Sequence, residues 1–578
     1  MAASIPATIN PSKLDNYFQD LGHVGVDIRR LPPDSEAHRL AGDANRYQDS
    51  YLWSKDEFNR LGGALAARAG VAPDADSVAL KTAEGALTPA GEVVRDLTQA
   101  KVGREDVFGP RNDGQVLVAR LDGLDWGQLW SEGGAASGPN LGFELFKADP
   151  RAYAMWPGDQ GVLLALSGIG TDGKPRIEVK RRGNLSRYDG EKEQVSLNFR
   201  GKDAKTIGDL KLLNCQREPS QGIRVELVNE WLKALDLPYR LTAPMQLVVN
   251  GEYRGPYLAL EDIDDVYFDR NLPVHEKGHE RLTLEGNQRG NATDERATLH
   301  STRELDRKVA GWRVYAPTND TSDSVYRYLE DFIGTLNGKN LSRTDEARFN
   351  TDEYLKSMED VMDVWGFLRT AALILAVGSW DTMYKTDGNF ELSFDVDKDT
   401  GKYKASVFIT DWDSCLGTSW FSGDRKDWND KDIHFGDADG RIALVRNLLK
   451  NDKARAYYTD CLHYIVNDLA RPDKVDRRMQ ELWNGATGAS VYRDGPGGRN
   501  TTYPFDRETV RRHVQEQASV YGWGARGDSG FYSMSPARFM GGQRDNVNRQ
   551  IADRHYSVGQ SGADFRHHQF APNFAASA

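Results

Sequence analysis

Residues 366–417 read GFLRTAALILAVGSWDTMYKTDGNFELSFDVDKDTGKYKASVFITDWDSCLG. The first part is a long apolar stretch with helical periodicity, and a polar loop carrying Asp381 and Asn389 follows it. Two runs rich in β-branched and aromatic residues, FELSF and ASVFI, flank DVDKDTGKY, which predicts a hairpin turn. The second run ends in ITDWDSCLG at 409–417, where Asp411 and Asp413 bracket a tryptophan. A buried helix, a loop with an aspartate and a downstream asparagine, and two strands ending in further aspartates make up one ordered unit. A plainer assignment has Asp381 capping a helix end and Asp411 and Asp413 in a solvated turn.

Outward from this stretch the chain divides by pattern. Residues 106–284 hold short aliphatic and β-branched runs broken by glycines, among them GQVLVARL, QGVLLALSGIG, RIEVKRRG, EQVSLNF and PMQLVVNGEYRGPYLALED. These read as strands and hairpins, interrupted by one helix, GIRVELVNEWLKAL at 222–235. A polar stretch at 285–308 leads into helical periodicity that continues to 556, and the tail at 557–578 is expected to fray. Residues 1–105 are Ala-rich, punctuated by LPPD, GVAPDAD and LTPAGE, and read as a separate module of short helices.

Composition narrows the function classes. With 578 residues, 39% hydrophobic and 28% charged, the chain has the balance of an ordinary globular protein with room for several cores. A formal net charge of -12 argues against a nucleic-acid partner, because tracking phosphates requires a basic surplus. The three cysteines, Cys215, Cys415 and Cys461, are far apart and encode neither a disulfide framework nor a thiolate zinc site. No basic segment followed by an apolar run opens the chain, and TAALILAVGSW at 370–380 is too short to span a bilayer. The expectation is a protein without a membrane span, cytoplasmic at synthesis, with delivery by a route independent of classical signal peptides left open.

Three other motifs compete for attention. HEKGH at 275–279 has the spacing of a zinc-binding HExxH, but Gly278 and the following RLTLEGN predict a loop entering a strand rather than the helix that motif needs. Asp43, Asn45, Asp49 and Asp56 offer oxygen ligands as a degenerate EF-hand-like unit would, at spacings that do not match a calcium loop. GIGTDGKP at 168–175 ends in GKP where a phosphate loop has GK[ST], lacks the helix that follows such a loop, and reads as a hairpin turn.

The 366–417 layout suits phosphoryl transfer, which needs one carboxylate to orient the attacking hydroxyl and further oxygen ligands to hold divalent cations over the phosphates. Several stretches in order resemble the atypical kinases of the spore-coat CotH group. RRGNLSRYDGEKEQVSLNF at 181–199 is similar to that family's RGNxS segment and following strand, and NGEYRGPYLALEDIDDVYF at 250–268 to its NGxYxGxYxLxE signature. LKLLNCQREPSQGIRVELVNEWLKALDLPYR, SWDTMYKTDGN, ITDWDSCLG and FMGGQRDNVNRQI resemble its strand-turn-helix element, catalytic loop, metal motif and C-terminal helix. The resemblance covers roughly 140–556.

It implies an α+β, two-lobed, atypical protein-kinase-like fold: a β-rich N-lobe at 106–284 and an α-rich C-lobe at 285–556, with the N-terminal helical module added. It further implies transfer from ATP, with Mg²⁺ or Mn²⁺, to Ser or Thr of a protein substrate. Asp381 would be the catalytic base, Asn389, Asp411 and Asp413 metal ligands, and Arg182, Lys192 and Glu261 the nucleotide-binding side chains. Where relatives often carry two consecutive lysines this chain has EKEQ, so Lys192 stands alone. A kinase-fold scaffold without catalysis and a nucleotidyl transferase to protein remain alternatives, and oligomeric state is not encoded in any motif.

Overall fold

In the computed structural model, the residues described are 7–9, 31–35, 37–38, 78–99, 104–108, 116–129, 135–136, 142–148, 161–167, 177–181, 194–199, 212–217, 222–250, 252–272, 278–286, 312–314, 324–339, 341–383, 389–417, 430–434, 443–487 and 536–566. They form a mixed α and β protein of two units. One comprises Met1–Gly222, Leu241–Asp262 and Leu482–Glu516, and the other Ile223–Arg240, Ile263–Glu481 and Gln517–Ala578.

The first unit is built on a nine-stranded sheet. Its strands are β1 (Val116–Asp122), β2 (Ala135–Ala136), β3 (Gly142–Ala148), β4 (Gly161–Ser167), β5 (Ile177–Arg181), β6 (Val195–Phe199), β7 (Leu212–Arg217), β8 (Thr242–Val249) and β9 (Glu252–Glu261), in the spatial order β2-β5-β6-β7-β9-β8-β1-β3-β4. All neighbours are antiparallel except β8 and β1, which run parallel. β8 and β9 form a hairpin, and Asn250 turns with φ +51 while its side chain bonds the backbone of Leu124.

Preceding this sheet are α1 (Pro89–Gln99) and α2 (Arg104–Phe108), and a short pairing of Thr8–Ile9 with Val78–Ala79. The N-terminal segment is therefore not wholly helical, and its end is not separate from the sheet. Val107 and Phe108 of α2 join Leu117, Leu145, Val195, Leu247 and Tyr257 in one core cluster. The acidic stretch at 43–56, with its calcium-loop likeness, lies outside the described residues, as does the 168–175 turn.

The second unit holds α3 (Gly222–Ala234, from Ile223 onward), α4 (Asp265–Asn271), α5 (Ser324–Leu336), α6 (Asp352–Val361), α7 (Val364–Val377), α8 (Ala443–Leu448), α9 (Asp452–Tyr464) and α11 (Pro536–Asp553), with α10 (Pro472–Thr487) beginning in it. Its four-stranded antiparallel sheet runs β11-β10-β12-β13, where β10 is His279–Gly286, β11 Trp312–Val314, β12 Phe390–Asp397 and β13 Tyr403–Ile409. The sequence groups residues 279–284 with the β-rich lobe. They pair instead with β12 over a register from His279↔Asp397 to Gly286↔Phe390, so this strand is part of the α-rich unit. His279 consequently sits on a strand with its Nδ1 3.1 Å from Asp395 Oδ2, which removes the helix that a zinc HExxH requires.

The helical run across 351–377 is two helices. Met362 is extended and bridges to Ala405, and the Asp363 amide donates to Ala405 O at 3.0 Å. Asp363 then caps α7, accepting from the Gly366 amide at 3.0 Å. Every residue of α7 but Trp365 is buried, Arg369 included, so it is the axis of this unit's core. Burial of each Leu, Ile, Val or Phe here contributes about 1.5–3 kcal/mol.

Over residues 557–566 the structure is ordered rather than frayed. Asp460, buried on α9, accepts from the amides of Gly559 and Ser561, both at 2.8 Å, and from the Tyr556 hydroxyl at 3.1 Å. Phe565 packs on Tyr457 and Tyr464 at centroid distances of 5.1 and 6.0 Å. Residues 557–566 are thus a strap across α9, fastened by a buried carboxylate that needs those donors. Among the described residues no helix is long and apolar enough to cross a membrane.

Candidate active site

The candidate site lies at the open end of the β12–β13 hairpin. α7 stops at Gly378, whose φ of +61 ends the helix; a Cβ there would come within 2.5 Å of Phe539 Cζ, so both backbone and space demand glycine. The chain turns through Ser379 to Met383, with the Thr382 hydroxyl donating to Ser379 O at 3.0 Å. Asp381 is half-buried in this turn.

Asn389 enters the hairpin with φ +56, a conformation asparagine tolerates better than most residues. Its Nδ2 donates to the Asp381 carbonyl at 2.6 Å and its carbonyl accepts from the Thr410 amide at 3.0 Å. The side chain that resembles a metal ligand therefore also pins the turn carrying Asp381. With Nδ2 committed in this way, Oδ1 is the amide atom left to act as a ligand.

β13 ends at Ile409, paired with Phe390, and the chain passes directly into Asp411. Asp411 Oδ1 accepts from the Asp413 amide at 3.2 Å, and Asp413 Oδ1 accepts from the Ser414 hydroxyl at 2.8 Å. Trp412 between them is buried, and both aspartates are half-buried. The buried indole between the two carboxylates anchors the loop. Two backbone bonds tie the loop to the end of α7, Trp380 N to Ser414 O at 3.3 Å and Leu416 N to Val377 O at 2.7 Å.

Asp381, Asn389, Asp411 and Asp413 are thus gathered around one hairpin end. Among the described residues no group of three or more His, Cys, Asp and Glu side chains converges as a metal centre. Arg182 and Lys192 lie outside the described residues. Glu261 is fully buried in the first unit, where Arg104 Nη1 donates to its Oε1 at 2.8 Å and the Leu241 amide to its Oε2 at 2.9 Å.

Two arginines escaped the sequence reading. Arg104 is one. The other is Arg224, wholly buried in the first turn of α3; burial pushes the Cys415 thiol well up, and the Arg224 charge acts against that push. Arg224 shares the apolar stripe of α3 with Leu227, Val228 and Trp231, and a charge on an apolar stripe is the signal that marks it.

A family model described as CotH kinase protein matches residues 179–500. The chain belongs to the CotH kinase family. The matched segment includes Glu261 and all four residues at the hairpin end, and Arg104 and the strands β1, β3 and β4 precede it. A comparison with curated proteins gave no match. Family membership makes this a kinase-like protein.

Proposed function

We propose that this CotH-family protein is an ATP-dependent protein kinase that transfers the γ-phosphoryl group to Ser or Thr hydroxyls, working as a two-lobed kinase-like fold. The observation that carries the reading is the bond from Asn389 Nδ2 to the Asp381 carbonyl, at the hairpin end where Asp411 and Asp413 leave β13. One carboxylate in a turn, one amide and two loop carboxylates make an all-oxygen donor set, which suits Mg²⁺ or Mn²⁺ and not a soft metal.

Asp381 orients the attacking hydroxyl and accepts its proton. Asp411, with Asp413 and Asn389 Oδ1, would hold the divalent cation, which when bound neutralises charge on the phosphates. Because only two of these ligands are carboxylates, phosphate oxygens and water would complete the shell, as Mg²⁺ prefers. Arg182 and Lys192 supply positive charge for the nucleotide. Acceleration comes from positioning and electrostatics rather than from a covalent enzyme intermediate.

Transfer of label from γ-labelled ATP to a basic Ser/Thr-containing protein should occur with wild type and fall at least 100-fold in Asp381→Asn and Asp411→Asn, both retaining the wild-type circular dichroism. Full activity in either variant sinks the assignment. Transfer of an α-label instead would identify nucleotidyl transfer, and binding without transfer a scaffold.

A further inference from the structure

Glu261 occupies a particular place in the chain. Strand β9 ends at it, and two residues later, between Asp262 and Ile263, the chain leaves the first unit for the second. Leu241, where the chain returns between Arg240 and Leu241, is its hydrogen-bond partner in both directions. The Glu261 amide donates to Leu241 O at 2.9 Å, and the Leu241 amide donates to Glu261 Oε2 at 2.9 Å. One residue therefore ties together both of these crossing points.

The remaining carboxylate oxygen, Oε1, accepts from Arg104 Nη1 at 2.8 Å, with side chains 6% and 0% exposed. A carboxylate taken fully out of water requires compensation, and the guanidinium charge with one N–H donor provides it. Arg104 is itself fixed, because α2 sinks Val107 and Phe108 into the sheet core. The arginine precedes the family-matched segment, which begins at 179. The matched segment thus carries a buried carboxylate whose guanidinium partner comes from the chain before it.

We propose that Arg104 is the positioning residue of Glu261, and that through this pair the N-terminal segment fixes the two chain crossings on which the kinase-like domain depends. The carboxylate is then a structural node in this chain. The effect on catalysis rests on the function proposed above; the node itself does not.

The test uses the full chain with Arg104→Met, Arg104→Lys and Glu261→Gln. Hydrogen exchange at the Leu241 and Glu261 amides should accelerate roughly tenfold or more in Arg104→Met, with a melting temperature lower by on the order of 10 °C and substantial recovery in Arg104→Lys. Well below that melting temperature, phosphoryl transfer per folded molecule should drop about tenfold in kcat with KM for ATP little changed, and recover in the lysine variant. Exchange at Leu241 identical to wild type in Arg104→Met overturns the node, as does an Arg104→Lys variant no better than Arg104→Met. Normal kcat in a folded Arg104→Met overturns its link to catalysis. Should wild type transfer no phosphate, the exchange and lysine-rescue results still decide the node, so the two failures are separable. If Arg104→Met does not fold, the exchange of Arg104→Lys and Glu261→Gln decides instead.

Discussion

Acidification should loosen the second unit through one histidine. His434 Nε2 lies 2.9 Å from Thr459 Oγ1, and that hydroxyl already donates to Arg455 O at 2.7 Å, so the ring nitrogen must be the donor. Nδ1 faces the Arg554 guanidinium and accepts from it, which leaves the imidazole neutral. Burial, then the Arg554 charge, lower the His434 pKa from 6.5 to about 4, against an opposing pull from Asp432; Arg455 adds to the lowering. Burial alone would raise Asp432, but the His434 amide and Arg554 overcome it and hold this carboxyl below its usual range.

Because the folded pKa lies below the unfolded one, the opened segment binds a proton between pH 6.5 and pH 4 that the closed one does not. The stabilisation is therefore complete above about pH 6.5 and lost as the pH falls towards 4. At 1.36 kcal/mol per unit, the loss between pH 7 and pH 4.5 is on the order of 2 kcal/mol, a fall in protection of several tens-fold. The assay is hydrogen exchange of the 430–434 peptide in wild type and His434→Gln, taking the ratio at each pH so that intrinsic exchange rates cancel. The wild-type advantage at pH 7 should shrink by on the order of tens-fold by pH 4.5. A ratio that stays constant across that range refutes the neutral, buried assignment.

Three further outcomes follow from the packing. Phe565→Ala should cost about 3 kcal/mol and raise the susceptibility of the C-terminal strap to proteolysis, since the ring is buried against Tyr457 and Tyr464; an unchanged digestion pattern contradicts the strap. Arg369, buried in α7, donates to the Tyr457 hydroxyl at 2.9 Å and to Asp236 O at 3.4 Å, so Arg369→Met should destabilise by about 2 kcal/mol in a thermal melt, and a melt identical to wild type would show those bonds to be dispensable. Gly378→Ala should cost at least about 1–2 kcal/mol and reduce activity, because strain at φ +61 adds to the approach of Phe539; a neutral result would mean that α7 ends in some other way.

Much of the second unit's candidate site was legible because its residues are local in sequence. Asp381, Asn389, Asp411 and Asp413 lie within one helix, loop and hairpin, and period-3.6 and period-2 patterns delimit each element. The hairpin turn at 395–403 was equally plain: Asp397 accepts from the Asp399 amide and the Thr400 hydroxyl, which pull its carboxyl below the usual range. What pattern does not carry is long-range pairing. Residues 279–286 have the same alternation whichever sheet they join, and only the register with β12 assigns them. The Met362 break in a continuous helical rhythm depends on a bridge to Ala405, and the ordered strap depends on one carboxylate, Asp460, nearly a hundred residues earlier. The Glu261 partner was invisible for the same reason: Arg104 is 157 residues away and looks like an ordinary surface charge.

The most direct test of the account is intact-mass spectrometry of the purified protein and a basic Ser/Thr-containing substrate after incubation with ATP and Mg²⁺ or Mn²⁺, alongside Asp411→Ala. The account predicts phosphate-sized additions with the wild-type protein that vanish in the variant. Adenylyl-sized additions, or phosphate additions that persist in Asp411→Ala, would contradict it.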